Sequence, residues 1–119
     1  MKRFPVAVPG VALLALLPAA LAGQDKPTEA TLELYKVKCM ACHMIDGNAP
    51  LPEMNFVNGV WKYGTKVADM VKVIKEGIPG TAMVAFGEQL SPEEIEALAR
   101  YVRSFDKKLK PEKAAKGGK

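Results

Sequence analysis

The sequence predicts an all-α domain with three main helices joined by irregular loops. Three segments carry apolar residues at helical spacing, no stretch alternates with period two, and residues 46–64 show Gly, Asn and Pro turn signals with little period. With 119 residues, the chain suffices for one small domain. Its 49% apolar content is inflated by an N-terminal run of Ala, Leu, Val and Pro. Two cysteines exclude a multi-bridge disulfide scaffold, and a single histidine excludes any site that needs two imidazoles. A large-cleft Ser-His-Asp hydrolase and a multi-histidine metal enzyme are therefore poor candidates.

The first predicted helix covers about residues 28–38. Thr28 can cap it, and Leu32, Tyr35 and Cys39 fall at i, i+3 and i+7 on one face. The second covers about residues 66–76, with Thr65 as cap and Val67, Met70, Val71 and Ile74 as its stripe. Gly77 sits where a C-terminal glycine belongs. The third has the strongest start. Ser91-Pro92-Glu93-Glu94 joins a capping serine, a proline at the first helical position and a glutamate at the third. Ile95, Leu98, Ala99, Val102 and Phe105 continue it as a buried face. Three short helices with few large aliphatic side chains bury little surface, and cores this small are marginal without a staple. A large apolar cofactor would fill the middle.

The two ends read differently from the body. Lys2 and Arg3, the apolar residues 4–17 and the small residues of Ala20-Leu21-Ala22 form an export signal over residues 1–22, with cleavage after Ala22. Pro5, Pro9, Gly10 and Pro18 make the same run a weak membrane span, and an uncleaved anchor is the alternative. Either way the folded part, residues 23–106, is exported, with the periplasm as its expected location. This body has 9 basic and 12 acidic residues, a net −3, whereas residues 107–119 hold six lysines and one acid, Glu112. The basic isoelectric point thus belongs to leader and tail. Nucleic-acid binding, which needs a basic face on the fold, loses its main support. The Lys-rich tail is expected to be flexible, disordered beyond Pro111, and to serve solubility or steering toward an acidic partner or an anionic membrane surface.

Cys39-Met40-Ala41-Cys42-His43 carries the chemistry. Cys-x-x-Cys-His reads as an attachment site for one haem c. Thiols about one helical turn apart can each form a thioether with a haem vinyl group, and the adjoining histidine is then placed to give the iron an axial nitrogen. A thioredoxin-like pair belongs beside a βαβ pattern, which is absent from the sequence. A zinc site lacks a fourth ligand of the right type. A disulfide across so short a loop would stabilise little.

With these residues in hand, the sequence resembles the class I cytochromes c of bacteria, mono-haem and His/Met-ligated, from about residue 30 to 105. The likeness rests on the helix ahead of the Cys-His motif, on Gly77-Ile78-Pro79-Gly80-Thr81-Ala82-Met83, and on the closing helix from Leu90-Ser91-Pro92 through Tyr101-Val102. It implies the cytochrome c fold, three main helices and loops wrapped around one covalently attached haem. It also implies a glycine in the first helix and another after the histidine. Here Ala30 and Thr31 stand near the first position, and Met44 stands at the second.

The sixth ligand must be a residue other than histidine, or be absent. Met40 and Met44 adjoin the motif and cannot easily reach the far ring face, and Met70 lies on the second helix's apolar stripe. Met83, forty residues past His43 after a Pro-Gly turn, has the reach, and the resemblance places the distal ligand there as well. Met54 is the fallback, and an open sixth position is the remaining alternative. The expected site is thus Cys39, Cys42, His43 and Met83, with His43 and Met83 on the iron. The carbonyl of Pro50 or Pro52 is expected to accept the other ring N–H of His43. Trp61 and Tyr63 are candidates either for a propionate contact or for plain core packing, and Tyr101 is expected to pack on the first helix.

A thioether opposite an imidazole favours ferrous iron, and a filled coordination sphere excludes dioxygen and peroxide. The expected function is a one-electron carrier between redox proteins, such as an oxidase, a dehydrogenase or a membrane cytochrome complex, and not an enzyme. Lys36, Lys38, Lys62, Lys66, Lys72 and Lys75 would form its docking ring, or simply solvated helix faces. Two alternatives stay open: a haem sensor or ligand-binding module with an open sixth position, and a fixed subunit of an oxidase or quinoprotein dehydrogenase.

Overall fold

A computed structural model describes residues 26–113, together with Lys2, Arg3, Pro5 and Gly10. Most of the expected export signal and residues 114–119 of the expected tail lie outside the described residues. Among the described residues the chain is helical without strands: α1 (Glu29–Lys38), α2 (Met40–His43), α3 (Val67–Glu76) and α4 (Pro92–Ser104), with one 3₁₀ turn at Pro52–Met54. None of these helices is long and apolar enough to cross a membrane.

Helix α1 begins where expected, Thr28 Oγ1 accepting the Thr31 N–H at 3.2 Å. Its inward face is turned from the expected one. Thr31 and Tyr35, one turn apart, are buried and Leu34 packs on the core, while Leu32 stays half-exposed. The large Tyr35 ring sets this rotation by packing edge-on against Tyr101 of α4, centroids 5.1 Å apart at 83°. The expected seat of Tyr101 against the first helix is thereby realised. Thr31 bears burial at the expected glycine position because its hydroxyl pairs with that of Thr28 at 3.0 Å.

Helix α3 corrects one expectation. Lys66, not Thr65, is its N-cap, and the capping carboxylate comes from within the helix: Asp69 Oδ2 accepts the Lys66 N–H at 3.0 Å. A second carboxylate arrives from far away, Glu112 Oε2 accepting the Val67 N–H at 2.9 Å. Helix α4 starts as its sequence dictates, Ser91 Oγ accepting from Glu94 N–H at 3.1 Å and Glu94 Oε1 from Ser91 N–H at 2.9 Å. Such caps contribute about 1 kcal/mol each. Helix α4 packs against both α3 and α1, and Ile95, Leu98, Ala99 and Val102 meet Val67, Met70 and Ile74 in one cluster. Burying an Ile or Leu side chain there stabilises by about 1.5–3 kcal/mol.

Residues 107–113, expected to be part of a flexible tail, instead run back along the domain. Leu109 packs on the core cluster. The buried Arg103 donates through Nε to the Thr65 carbonyl at 2.7 Å, donates to the Lys110 carbonyl through Nη1, and lies 3.4 Å from Glu112. Arg100 Nη1 donates to the Glu112 carbonyl at 2.8 Å. Two buried guanidiniums need acceptors, and the strap supplies backbone carbonyls with little side-chain entropy to lose.

Strain concentrates just after α2. Met44 holds φ 65° and ψ 159°, a region that is essentially glycine's alone and costs on the order of 1–3 kcal/mol for other residues. The conformation persists because the Met44 carbonyl accepts the hydroxyl of fully buried Tyr35 at 2.6 Å, while Met44 N–H still bonds the Met40 carbonyl at 2.9 Å. The Met44→Gly variant should therefore be more stable than the parent by about 1 kcal/mol. Chemical denaturation of the holoprotein measures this; a less stable variant would show that the Met44 side chain contributes more than its backbone strain costs.

Candidate haem site

The attachment turn is formed by a break and restart of helix. Cys39 ends α1, its N–H reaching the Tyr35 carbonyl at 2.9 Å, and at φ −122°, ψ −36° it also starts α2. His43 N–H closes the turn on the Cys39 carbonyl at 3.0 Å. Cys39, Cys42 and His43 thus share a single turn, and neither cysteine is in a disulfide. The thiols differ in setting. Burial, followed by the nearby Cys42, pushes Cys39 up to about 11, whereas Cys42 is exposed.

His43 is half-buried, and its Nδ1 lies 2.7 Å from the Met54 carbonyl. A carbonyl can only accept, so Nδ1 carries the proton and Nε2 keeps its lone pair. Burial depresses the imidazole's proton affinity, partly opposed by the Met54 bond, which favours the neutral ring that a metal requires. The expected carbonyl partner, Pro50 or Pro52, is corrected to Met54. Pro52 opens the 3₁₀ turn, and its own carbonyl accepts the backbone N–H of Asn55 at 3.3 Å and the side-chain amide of Asn58 at 3.1 Å. Met54 is accordingly tied through its backbone to the histidine.

The aperiodic loop around Met54 is fixed by asparagines. Asn55 donates to Asn48 Oδ1 at 2.8 Å and to the Ala49 carbonyl at 2.9 Å, and accepts from the Val57 and Asn58 N–H groups at 2.7 and 2.9 Å. At the neck of the loop Phe56 N–H reaches the Gly47 carbonyl at 2.8 Å. The Phe56 ring stacks on His43, centroids 4.3 Å apart at 17°. Trp61 continues the series at 5.8 Å and 5° from Phe56. Its indole N–H donates to Asp106 Oδ2 at 2.8 Å, so this donor already has a carboxylate partner other than a propionate. That bond holds Asp106 below its ordinary 3.8, with burial opposing and Lys108 and Arg103 assisting. Asp106 thus stabilises the fold above its ordinary value, a contribution lost as pH falls through its lowered one.

Met83 comes from the loop between α3 and α4. Gly77 opens that loop at φ 68°, and its Cα lies so near the strand of chain behind it that an added Cβ would stand 2.7 Å from the Met83 carbonyl oxygen. Ile78 N–H donates to the same carbonyl at 3.0 Å. Thr81 braces the interior, its hydroxyl donating to the Ile78 carbonyl at 2.7 Å and accepting the Met83 N–H at 3.2 Å. Buried Phe86 closes the loop with an N–H bond to the Ile74 carbonyl at 2.9 Å. Met83 and Cys39 both pack on the core cluster, and Met70 lies inside it as expected of a core residue.

The donor set fits a covalently held haem. Two unpaired thiols and an imidazole with a free Nε2 occupy one turn, and a half-buried thioether is presented by a braced loop. Loop residues Leu51, Val57, Val60, Tyr63 and Val84 stand 45–69% exposed, apolar surface that a porphyrin can cover. Sequence reasoning missed Phe56, Asp106 and the asparagine scaffold. The Asn-rich turn chemistry was a usable signal, whereas the stacking of Phe56 carries none.

Gly77→Ala tests how far the methionine loop depends on this close approach. Strain at positive φ and collision with the Met83 backbone should cost about 2 kcal/mol or more and loosen residues 78–85. Denaturation together with amide exchange at Ile78 and Met83 reads both effects; native exchange at these amides would contradict the packing argument.

Comparison with known proteins supplies the family. The family model described as cytochrome c oxidase, cbb3-type, subunit III matches residues 26–102. The cbb3-type cytochrome c oxidase subunit FixP of Azorhizobium caulinodans is 34% identical over 91 residues, which is 75% of this chain but only 31% of that subunit's length. Among solved structures, the KustC0563 c-type cytochrome is 36% identical with a TM-score of 0.55, over 64% of this chain and 96% of that one. Cytochrome c6 of the diatom Phaeodactylum tricornutum is 26% identical with a TM-score of 0.57, over 70% and 98%. The all-α architecture is that of the cytochrome c fold. The chain belongs to the cbb3-type subunit III family of class I c-type cytochromes, whose cofactor is covalently attached haem c.

Proposed function

We propose that this chain is an exported one-electron carrier, in which Cys39 and Cys42 would anchor a haem as thioethers and His43 and Met83 would hold its iron. The observation that carries the reading is the His43 imidazole: half-buried, with Nδ1 engaged by Met54 and Nε2 available, in the same turn as two unpaired cysteines. The haem, when bound, supplies a ferric/ferrous couple. His43 contributes a neutral nitrogen whose basicity is raised by its second hydrogen bond. Met83 contributes a soft sulfur from a loop separate from the one that Met54 ties to the imidazole, which favours Met83 over Met54. With His43 and Met83 both holding the iron, no ligand position would be left for a substrate, and the chain would transfer electrons without bond chemistry of its own.

Docking to a partner is transient, as electron-transfer pairs require. Lys62, Lys66, Lys72 and Lys75 are exposed on α3 and the loop before it, whereas Lys36 is paired with Glu33 at 2.8 Å and Lys38 reaches Gln89 at 3.3 Å. The exposed lysines favour an acidic redox partner on the periplasmic side. A second reading is favoured by the comparison with FixP, named as an oxidase subunit, of which this chain spans 31%: the same haem domain held in a terminal oxidase complex. Gel filtration of the native material separates shuttle from subunit.

In the Met83→Ala variant the weak long-wavelength sulfur-to-iron band of the oxidised protein should vanish and the reduction potential fall. The reduced parent should resist carbon monoxide at neutral pH, while the variant binds it readily. A band that survives the substitution would assign the sulfur to Met54, and rapid carbon monoxide binding by the parent would favour a ligand-binding module.

A further inference from the structure

We propose that Phe56 is a positioning residue that fixes the plane of the His43 imidazole through an aromatic series anchored on the end of α4. This rests on the reading of His43 as the proximal ligand. The Nδ1–H bond to Met54 pins one edge of the imidazole but still permits the ring to tilt about its Cβ–Cγ bond. The Phe56 ring opposes that tilt, lying against the imidazole face at 4.3 Å and only 17° from parallel.

Phe56 is itself held from several directions. Its N–H is bonded to the Gly47 carbonyl at 2.8 Å, and its ring lies 5° from the plane of Trp61 and 18° from that of Phe105. Trp61 cannot rotate without breaking its 2.8 Å bond to Asp106, which is 4% exposed and lies two residues past the end of α4. Phe105 is seated against Gly47, whose Cα lies so close that an added Cβ would stand 2.8 Å from the Phe105 ring. The orientation of the imidazole is thus set by the C-terminal end of α4, remote in sequence from the attachment motif. A stacked ring on one face also keeps water from the Nδ1–H···O bond, whose strength tunes ligand basicity.

The test uses ferric holoprotein and two nuclear magnetic resonance readouts: the hyperfine-shift pattern of the haem methyl groups, which follows the imidazole plane, and exchange of the His43 Nδ1 proton. Phe56→Leu should alter the methyl pattern and speed proton exchange about tenfold or more, and Phe56→Tyr, which keeps the ring, should restore both. Ile74→Val, a core change outside the aromatic series, should leave both at parent values. If Phe56→Leu does not accumulate as holoprotein, Trp61→Phe carries the test through loss of the Asp106 anchor, with faster exchange expected and unchanged exchange overturning the proposal. A parent-like pattern in Phe56→Leu, or the same changes in Ile74→Val, would overturn it as well. Absence of hyperfine-shifted His43 resonances in the parent would instead overturn the ligand assignment itself.

Discussion

One hydrogen bond, between the His43 imidazole and the Met54 carbonyl, fixes the attachment turn against the loop that follows it. His43 ends a four-residue helix that contains Cys42 and is N-capped by Cys39, so the backbone that places the ring also places both thiols. The chain must leave that helix at once, and it does so through a strained Met44 held by the hydroxyl of Tyr35. Tyr35 in turn locks α1 against α4. On the other side the carbonyl of Met54 orients the ring, which obliges the intervening loop to take a defined path although it has no regular structure. Two hydrogen bonds, of 2.7 and 2.6 Å, thus tie the α2 turn to the loop at Met54 and to Tyr35 of α1.

The parts of the fold that follow local rules were legible in the sequence. Helix α4 begins just after Ser91 because a capping serine, a proline at the first helical position and a glutamate at the third fall there. Helix α3 ends at Gly77 because only glycine takes φ 68° freely against the Met83 backbone. The parts that depend on distant residues were not. Glu112 as an acceptor at the start of α3 follows from a strap that folds back, and no spacing announces it. Arg100 and Arg103 carry no sequence signal of burial, yet both are buried, and carbonyls of that strap and of Thr65 accept their N–H groups. The carbonyl partner of His43 was expected two to four residues too early, since the 3₁₀ turn at Pro52–Met54 uses the proline carbonyl for its own closure.

The site shows the same division. Cys39, Cys42 and His43 fall within five residues, and their spacing alone singled them out. Met83 required an argument about reach, and its loop turns out to be braced by Thr81 and Gly77, residues that the sequence placed beside it without revealing their bonds. Trp61 stood out as a large aromatic near the cofactor, but its indole is committed to Asp106, a residue with no visible link to it forty-five positions away. Composition pointed to a small core, and Leu51, Val57, Val60 and Val84 stand exposed on the loops outside it.

The central claim is that one haem, joined to both thiols of the α2 turn, completes this small domain. Peptide mass spectrometry of the protein produced in a host that matures c-type cytochromes tests it most directly. The account predicts a single peptide containing Cys39 and Cys42 that carries the mass of one haem, with no free thiol on either residue. A soluble, cooperatively folded and colourless protein with both thiols unmodified would contradict it.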